Sequence, residues 1–373
     1  MKRSKWLILL LAISMIFSLV GCQSKGSNET SNLTNGLFKP GTYVGEGQGI
    51  GGAIKLEVTV TEDKITDIKV LEHNETPGVS DAAFNTIPAQ IIEYQSLGVD
   101  VVAGATESSN GILEAVINAL QKAGADIEAL KKVPIKKAEK SDKVIERETD
   151  VVVIGAGGAG LAAAVSAHQN GAKVIVLEKM PKVGGNTIIS GAAYNAVDPK
   201  RQSQQGIEDS IEKHFQQTYE GGDKLAKPEL VRILVENAYP ALEWLESMGM
   251  QFTDEVFTVL GGLWPRAHKP VEPLGTGYIN TYMNYINNHS SDIEVLLNTK
   301  ATELIKEDGK IVGVKAESPE GQLIVKARNG VVLATGGFSA NVEMREKYNK
   351  IWPSLKNIKT TTHQGATDDG ILM

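Results

Sequence analysis

Apolar and polar side chains alternate along residues 53–72, AIKLEVTVTEDKITDIKVLE, and the alternation breaks at the polar run Glu62-Asp63-Lys64. A period of two predicts two half-buried strands joined by a turn. Residues 80–96 then read as a helix. Residues 110–124 read as a second one, with Ile112, Leu113, Val116, Ile117 and Leu120 on one face and Gly124 at its C-terminal end. From Thr149 the pattern changes to short, continuous apolar runs. TDVVVIG and AKVIVLE predict buried parallel strands flanking a glycine loop and a small-residue helix that ends at Gly171, the start of a βαβ unit. Residues 200–292 read as mostly helical, with 227–249 the clearest stripe. Residues 293–335 return to strands, with Asp308-Gly309 as a two-residue hairpin signal.

These patterns divide the chain. Residues 38–124 form a small unit. Residues 125–148, rich in Lys and Glu, read as a linker, and residues 149–373 form a larger α/β unit. Ahead of them, residues 1–22 carry Lys2, Arg3 and Lys5, then an apolar run from Trp6 to Val20, which is a secretory signal too short for a membrane span. Leu19-Val20-Gly21-Cys22 resembles a bacterial lipobox, which would make Cys22 the lipidated N-terminus. The alternative is an uncleaved anchor helix. Residues 23–37 read as a flexible tether. The expected location is therefore extracytoplasmic, lipid-anchored to the cell membrane.

Composition narrows the chemistry. Cys22 is the only cysteine of 373 residues, which excludes a disulfide, a cysteine-ligated iron–sulfur cluster and a C-x-x-C-H haem site. The formal net charge of -7, with no basic run flanked by aromatics, argues against nucleic acid as a partner. No His or carboxylate pair has metal-ligand spacing, so no metal is expected.

Gly155, Gly157 and Gly160 form G-x-G-x-x-G between a strand and a helix. The first allows a tight turn, the second lets backbone approach a pyrophosphate, and the third permits close helix–strand packing. The helix N-terminus offers free N–H groups to the phosphates. Glu178 closes the second strand about 20 residues on, where a carboxylate holds ribose hydroxyls. The glycines alone leave FAD and NAD open.

The segments that follow decide between them. EKMPKVGGNTIISGAA, NTKATEL, VVLATGGFS and TTTHQGATDDG together resemble the FAD-dependent fumarate reductase and succinate dehydrogenase flavoprotein family, and most closely its exported fumarate and urocanate reductases. The resemblance covers residues 149–373. It implies a Rossmann-like FAD-binding domain of the glutathione-reductase type. It also implies site roles: Ala159 contacts the dinucleotide through its backbone and Glu178 the adenosine ribose. Asn186 and Thr187 meet the pyrophosphate and flavin region, and Ser190, Gly191 and Ala192 approach the isoalloxazine. Ala301 lies in the strand that meets the adenine, Thr335 and Gly336 lie near the pyrophosphate, and Asp369 is on the flavin side. Asp369 also reads as a plain helix N-cap.

EHNETPG (72–78) and DVVAGATESSNG (100–111) resemble the FMN-binding domain of membrane ion-pump subunits and urocanate reductases. That resemblance implies a small α+β domain whose FMN is linked by a transferase to a hydroxyl. Ser108 is the expected acceptor, with Ser109 and Thr106 as second choices. His73, Glu75 and Thr76 are expected to line the flavin. The helix expected to start near Asn110 would aim N–H groups at the phosphate.

The two resemblances imply an FAD- and FMN-dependent oxidoreductase acting on CH–CH groups. Electrons would pass from a membrane donor, a quinol or a flavin-reducing protein, through covalent FMN and FAD to an α,β-unsaturated carboxylate of the urocanate or fumarate type. The family's proton-donating Arg and carboxylate clamp lie beyond the G-A-T-x-D-G segment, so no catalytic residue is expected within this chain, which reads as a fragment ending at Met373. Arg201, Arg232, Arg266, Arg328 and Arg345 do not match the proton donor. Arg266, His268 and His363 read as structural, and His168, His214 and His289 as surface helix residues. The alternative is a non-catalytic FMN electron carrier with an incomplete FAD domain. A third, an oxidase or dehydrogenase such as aspartate oxidase or ketosteroid dehydrogenase, would need no tethered relay.

Overall fold

The computed structural model describes residues 37–77, 79–102, 104–135 and 141–373. Cys22, the leader and all of the expected tether but Leu37 lie outside the described residues. The first unit is an antiparallel sheet of β1 (Gly41–Gln48), β2 (Ala53–Val60) and β3 (Ile65–Glu72), in that spatial order. β2 alternates as expected, with Ile54, Leu56, Val58 and Val60 buried. Helices α1 (Asp81–Tyr94) and α2 (Thr106–Lys122) cover that face, so the alternating pattern and the helical stripes share one core. α2 lies close against β1 because Gly45 and Gly47 carry no side chain. A Cβ at either would overlap the backbone of Ala115 or Gly111.

Three expectations change here. Helix α2 begins at Thr106, not near Asn110: Gly104, at φ +80, ends the preceding turn and Ala105 is the N-cap. Ser108 and Ser109 are therefore inside the helix. The stretch 125–148 is not all linker. Asp126 caps a short helix α3 (Ile127–Lys131), which sends Leu130 into the first core, and strand β4 (Val144–Ile154) already begins at Val144. The charged start of β4 pairs with a later strand, and backbone pairing does not require apolar side chains.

The second unit is built on a six-stranded sheet. β5 (Val174–Leu177) and β9 (Ile293–Leu296) follow β4 on one side. β12 (Gly321–Leu333) lies on the other, and these four strands run parallel. β10 (Lys300–Glu307) and β11 (Lys310–Ser318) extend the sheet antiparallel, turning through Asp308 and Gly309 at φ +47 and +81, as the hairpin signal requires. Val153, Val174 and Val176 face helix α4 (Gly158–Gln169) and the helical layer. Val152, Ile154, Ile175 and Leu177 face the opposite way, with Val314, Ala316, Leu323 and Val325. Burial on both faces is why these strands read as continuous apolar runs.

The short helix α5 (Gly185–Ile188) follows β5. The region 200–292 holds α6 (Arg201–Gln204), α7 (Ile211–Gly221), α8 (Pro228–Ser247) and α9 (Thr276–Asn288), but it is not purely helical. β6 (Tyr194–Asn195), β8 (Ala267–Pro270) and β7 (Phe252–Phe257) form a small sheet in which β7 and β8 are sequence neighbours and β6 comes from far earlier in the chain. His268 is fully buried on that sheet, with Nε2 3.2 Å from Asp198 Oδ2, and Arg266 pairs at 2.6 Å with Asp209, whose side chain is buried. His214 departs from its surface reading: it is buried on α7 beside the Arg266–Asp209 pair, and burial lowers its pKa. Two short helices, α10 (Val342–Lys347) and α11 (Asp369–Leu372), complete the described chain.

Candidate functional site

The apolar run of β4 ends at Ile154, and the chain turns through Gly155 at φ +101 into α4. Gly155 stands so close to Ala334 that a Cβ would meet its carbonyl oxygen at 2.6 Å. Gly160 packs against the Gly155 carbonyl, the close helix–strand approach its spacing predicts. Gly157 is different: a Cβ there would meet only Gly184 O, at 4.0 Å, and would otherwise point into open space. That space is a cleft of about 470 Å³. Gly155, Gly157, Ala159, Glu178, Asn186, Thr187, Ala301, Thr335, Gly336 and Asp369 all line it. Gly160 does not, because it faces the strand. Ser190, Gly191 and Ala192 also lie off the lining; Ser190 donates its hydroxyl to Thr187 O at 2.7 Å.

Glu178 is buried at the end of β5, and its two oxygens accept from the backbone N–H groups of Ala156 at 2.7 Å and Met180 at 2.8 Å. Burial raises its pKa, and those two N–H groups oppose the rise. At the other end, Asp369 is gripped by Lys179, by Lys300 at 2.9 Å and by the Thr367 hydroxyl at 2.9 Å. Burial alone would push Asp369 up, but these donors hold its pKa down at about 2. Asp369 is therefore an ionised carboxylate bound between two lysines and not the cap of α11, whose N-cap is Asp368. Lys179 and Lys300 were missed in the sequence. Lys179 follows Glu178 directly, but its partner is 190 residues away.

A glycine cradle with room over Gly157, a helix N-terminus whose N-cap is that side-chain-free glycine and a bidentate acid one strand on fit a dinucleotide. The profile of the FAD binding domain family matches residues 150–373. The chain belongs to the FAD binding domain family. An FMN-binding domain profile matches residues 49–121. The chain is 35% identical to the NADH:acrylate oxidoreductase of Vibrio harveyi over 90% of its own length and 39% of that protein's. It is 36% identical to the urocanate reductase of Eggerthella lenta over 96% of its own length and 59% of that protein's. The open conformation of a flavocytochrome c3 fumarate reductase superposes on 65% of this chain and 44% of that one, with a TM-score of 0.58 and 31% identity. The chain thus spans between about two fifths and three fifths of these curated relatives.

In the FMN-binding domain, His73 stacks on Phe84 with centroids 4.2 Å apart, and its Nδ1 accepts from Glu75 N at 3.2 Å. The Glu75 carboxylate is buried and accepts from Gly51 N at 2.6 Å and from the Ser108 hydroxyl. Ser109 is buried too, donating to Ala105 O at 2.8 Å and accepting from Val102 N at 3.0 Å. Both serines are inward and occupied. Thr106 is half-buried at the first position of α2, whose N-terminus no side chain caps, and its hydroxyl accepts from Gln364 Nε2 at 2.7 Å. Gln364 belongs to the FAD-binding domain. Next to it, His363 lines the FAD cleft and receives the Gly104 turn.

Proposed function

We propose that this chain is the two-flavin part of an exported reductase of α,β-unsaturated carboxylates, of the fumarate, acrylate or urocanate type. FMN is carried covalently by the small α+β domain, and FAD by a Rossmann-like domain of the glutathione-reductase type. Electrons enter from a membrane donor, a quinol or a flavin-reducing protein, and lipid at Cys22 keeps the chain at that membrane. The names of the relatives support the substrate class. One contact carries the reading: the Thr106 hydroxyl of the FMN-binding domain is bonded at 2.7 Å to Gln364 of the FAD-binding domain, at the edge of the FAD cleft. Two flavins held on either side of that contact would be neighbours.

Reduced FAD held in the cleft would supply a hydride for the β-carbon of the substrate, with a proton added at the α-carbon. The residues of this chain bind and orient. The N–H groups at the start of α4 would meet the pyrophosphate, Glu178 would take the ribose hydroxyls, and Asn186 and Thr187 would border the flavin side. Lys179 and Lys300 fix the Asp369 carboxylate as an acceptor. Ser190, Gly191 and Ala192 remain assigned to the isoalloxazine by family resemblance alone, since they lie off the cleft lining.

For FMN attachment the geometry favours Thr106 over Ser108. The Ser108 hydroxyl is buried and bonded to Glu75, whereas Thr106 stands at the uncapped helix end, where a phosphate would meet free N–H groups. The chain co-expressed with a flavin transferase should yield a flavin-bearing peptide spanning 101–113. The flavin should persist in Ser108→Ala and vanish in Thr106→Ala. Loss in Ser108→Ala alone would restore Ser108, and a flavin that persists on the 101–113 peptide in both variants would move the attachment to Ser109. The activity is tested on the full-length protein: turnover of fumarate, acrylate or urocanate with a reduced viologen dye is expected. Bound flavins that pass electrons on to none of them would favour the electron-carrier alternative.

A further inference from the structure

Among the described residues, three side chains of the FAD-binding domain meet the FMN-binding domain: His363, which lines the FAD cleft, Gln364 beside it, and Lys182. Gln364 donates to Thr106 Oγ1 at 2.7 Å. Lys182 donates to the carbonyl of Val79, and Val79 itself packs against the core of the FAD-binding domain. His363 sits between them, only 4% exposed. Its backbone N–H donates to Asn186 Oδ1 at 2.7 Å, which ties it to α5. Its Nδ1 accepts from Gly365 N at 3.0 Å, so in the neutral ring the hydrogen is on Nε2. Nε2 faces the FMN-attachment turn: a Cβ on Gly104 would stand 2.6 Å from it and 3.5 Å from Lys182 Cε.

We infer that His363, Gln364 and Lys182 form a latch that holds the FMN-bearing turn 104–106 at the mouth of the FAD cleft and so sets the spacing of the two flavins. They are positioning residues; the electrons pass between the flavins. The role in electron passage rests on the two-flavin reading, but the latch itself does not. The sequence fits it at both ends. Gly104 is the position where any side chain would wedge the imidazole away, and its φ of +80 suits glycine. His363 is buried, Asn186 holds its backbone N–H and Gly365 N–H holds its ring Nδ1, so it presents a fixed surface. Burial lowers its pKa, as do Lys182 and Lys179, so the ring meets the turn uncharged.

The test uses the full chain. Gln364 is exposed and does not line the cleft, so Gln364→Ala removes the bond to Thr106 without touching the FAD cradle. Lys182→Met keeps the aliphatic stem and removes the donor. The first-turn amides of α2 have no partner within the helix, so their exchange reports how the turn is covered. Hydrogen exchange over 104–108 is expected to rise about fivefold for each lost bond. It should rise further in the double variant, while exchange in β2 stays unchanged. Unchanged exchange over 104–108 in the double variant overturns the latch. With both flavins loaded, reduction of FAD through FMN should slow in parallel with the opening, and FAD affinity should hold. A wild-type chain that retains neither flavin but shows the exchange difference would sink the two-flavin reading and leave the latch standing.

Discussion

Gly160 packs its α-carbon against the carbonyl oxygen of Gly155, and a Cβ added there would overlap that oxygen. Gly157, three residues earlier, faces the open cleft instead. Two glycines of one motif thus have separable duties. Gly160→Ala should destabilise the FAD-binding domain by about 2–3 kcal/mol, because backbone must move to admit the methyl. Gly157→Ala adopts an ordinary extended φ of -77 and should stay within about 0.5 kcal/mol of wild type, yet lose FAD. Urea unfolding and a fluorescence titration of FAD separate the two effects, and equal stability losses would refute this division.

Glu178 uses both carboxylate oxygens on backbone N–H groups before any ribose arrives. Glu178→Gln keeps one acceptor and turns an amide NH2 toward an N–H. The fold should lose about 1 kcal/mol and FAD affinity should fall about tenfold. An FAD affinity unchanged in this variant would remove Glu178 from the site.

Asp369 gives the chain an acid-sensitive clamp. Burial would raise its pKa, but Lys179, Lys300 and Thr367 bring it from 3.8 down to about 2. A carboxyl whose folded pKa is depressed contributes stability that is complete above its unfolded value. That stability is lost as pH falls from 3.8 toward about 2. Asp369→Asn should flatten stability in that window and release Lys179 and Lys300. Denaturant midpoints of wild type and variant that run parallel there would contradict the clamp.

Asp198 is fully buried; it accepts from Lys200 N at 2.8 Å, Arg201 N at 3.0 Å and Arg201 Nη1 at 3.0 Å, and His268 Nε2 lies 3.2 Å from it. Burial opposes its ionisation, and the donors prevail, so its pKa is lowered. Asp198→Ala should cost roughly 3–5 kcal/mol, because it takes a buried carboxylate from Arg201, which keeps only Glu246, and from His268. The exposed Glu212–Arg232 pair offers the contrast: Glu212→Gln should change stability by under about 1 kcal/mol. Thermal unfolding of the two variants side by side checks the ranking.

Near-neighbour chemistry was legible in the order of residues. The strand, glycine loop, helix, strand and acid of residues 149–178 form a local unit, and their spacing alone places Gly155, Gly157 and Glu178. Alternation along β2 and the turn at Asp308-Gly309 are equally local, because a side chain's face follows from its position along the element. Only the tertiary structure brought Lys179 and Lys300 onto Asp369, buried His268 on a small sheet within a region read as helical, and turned Ser108 inward to Glu75 while leaving Thr106 against Gln364. Those pairs join segments up to 258 residues apart. A periodic pattern records which face of an element is buried, but the partner a polar group finds across the fold depends on how whole elements pack, and that leaves no spacing in the chain to read.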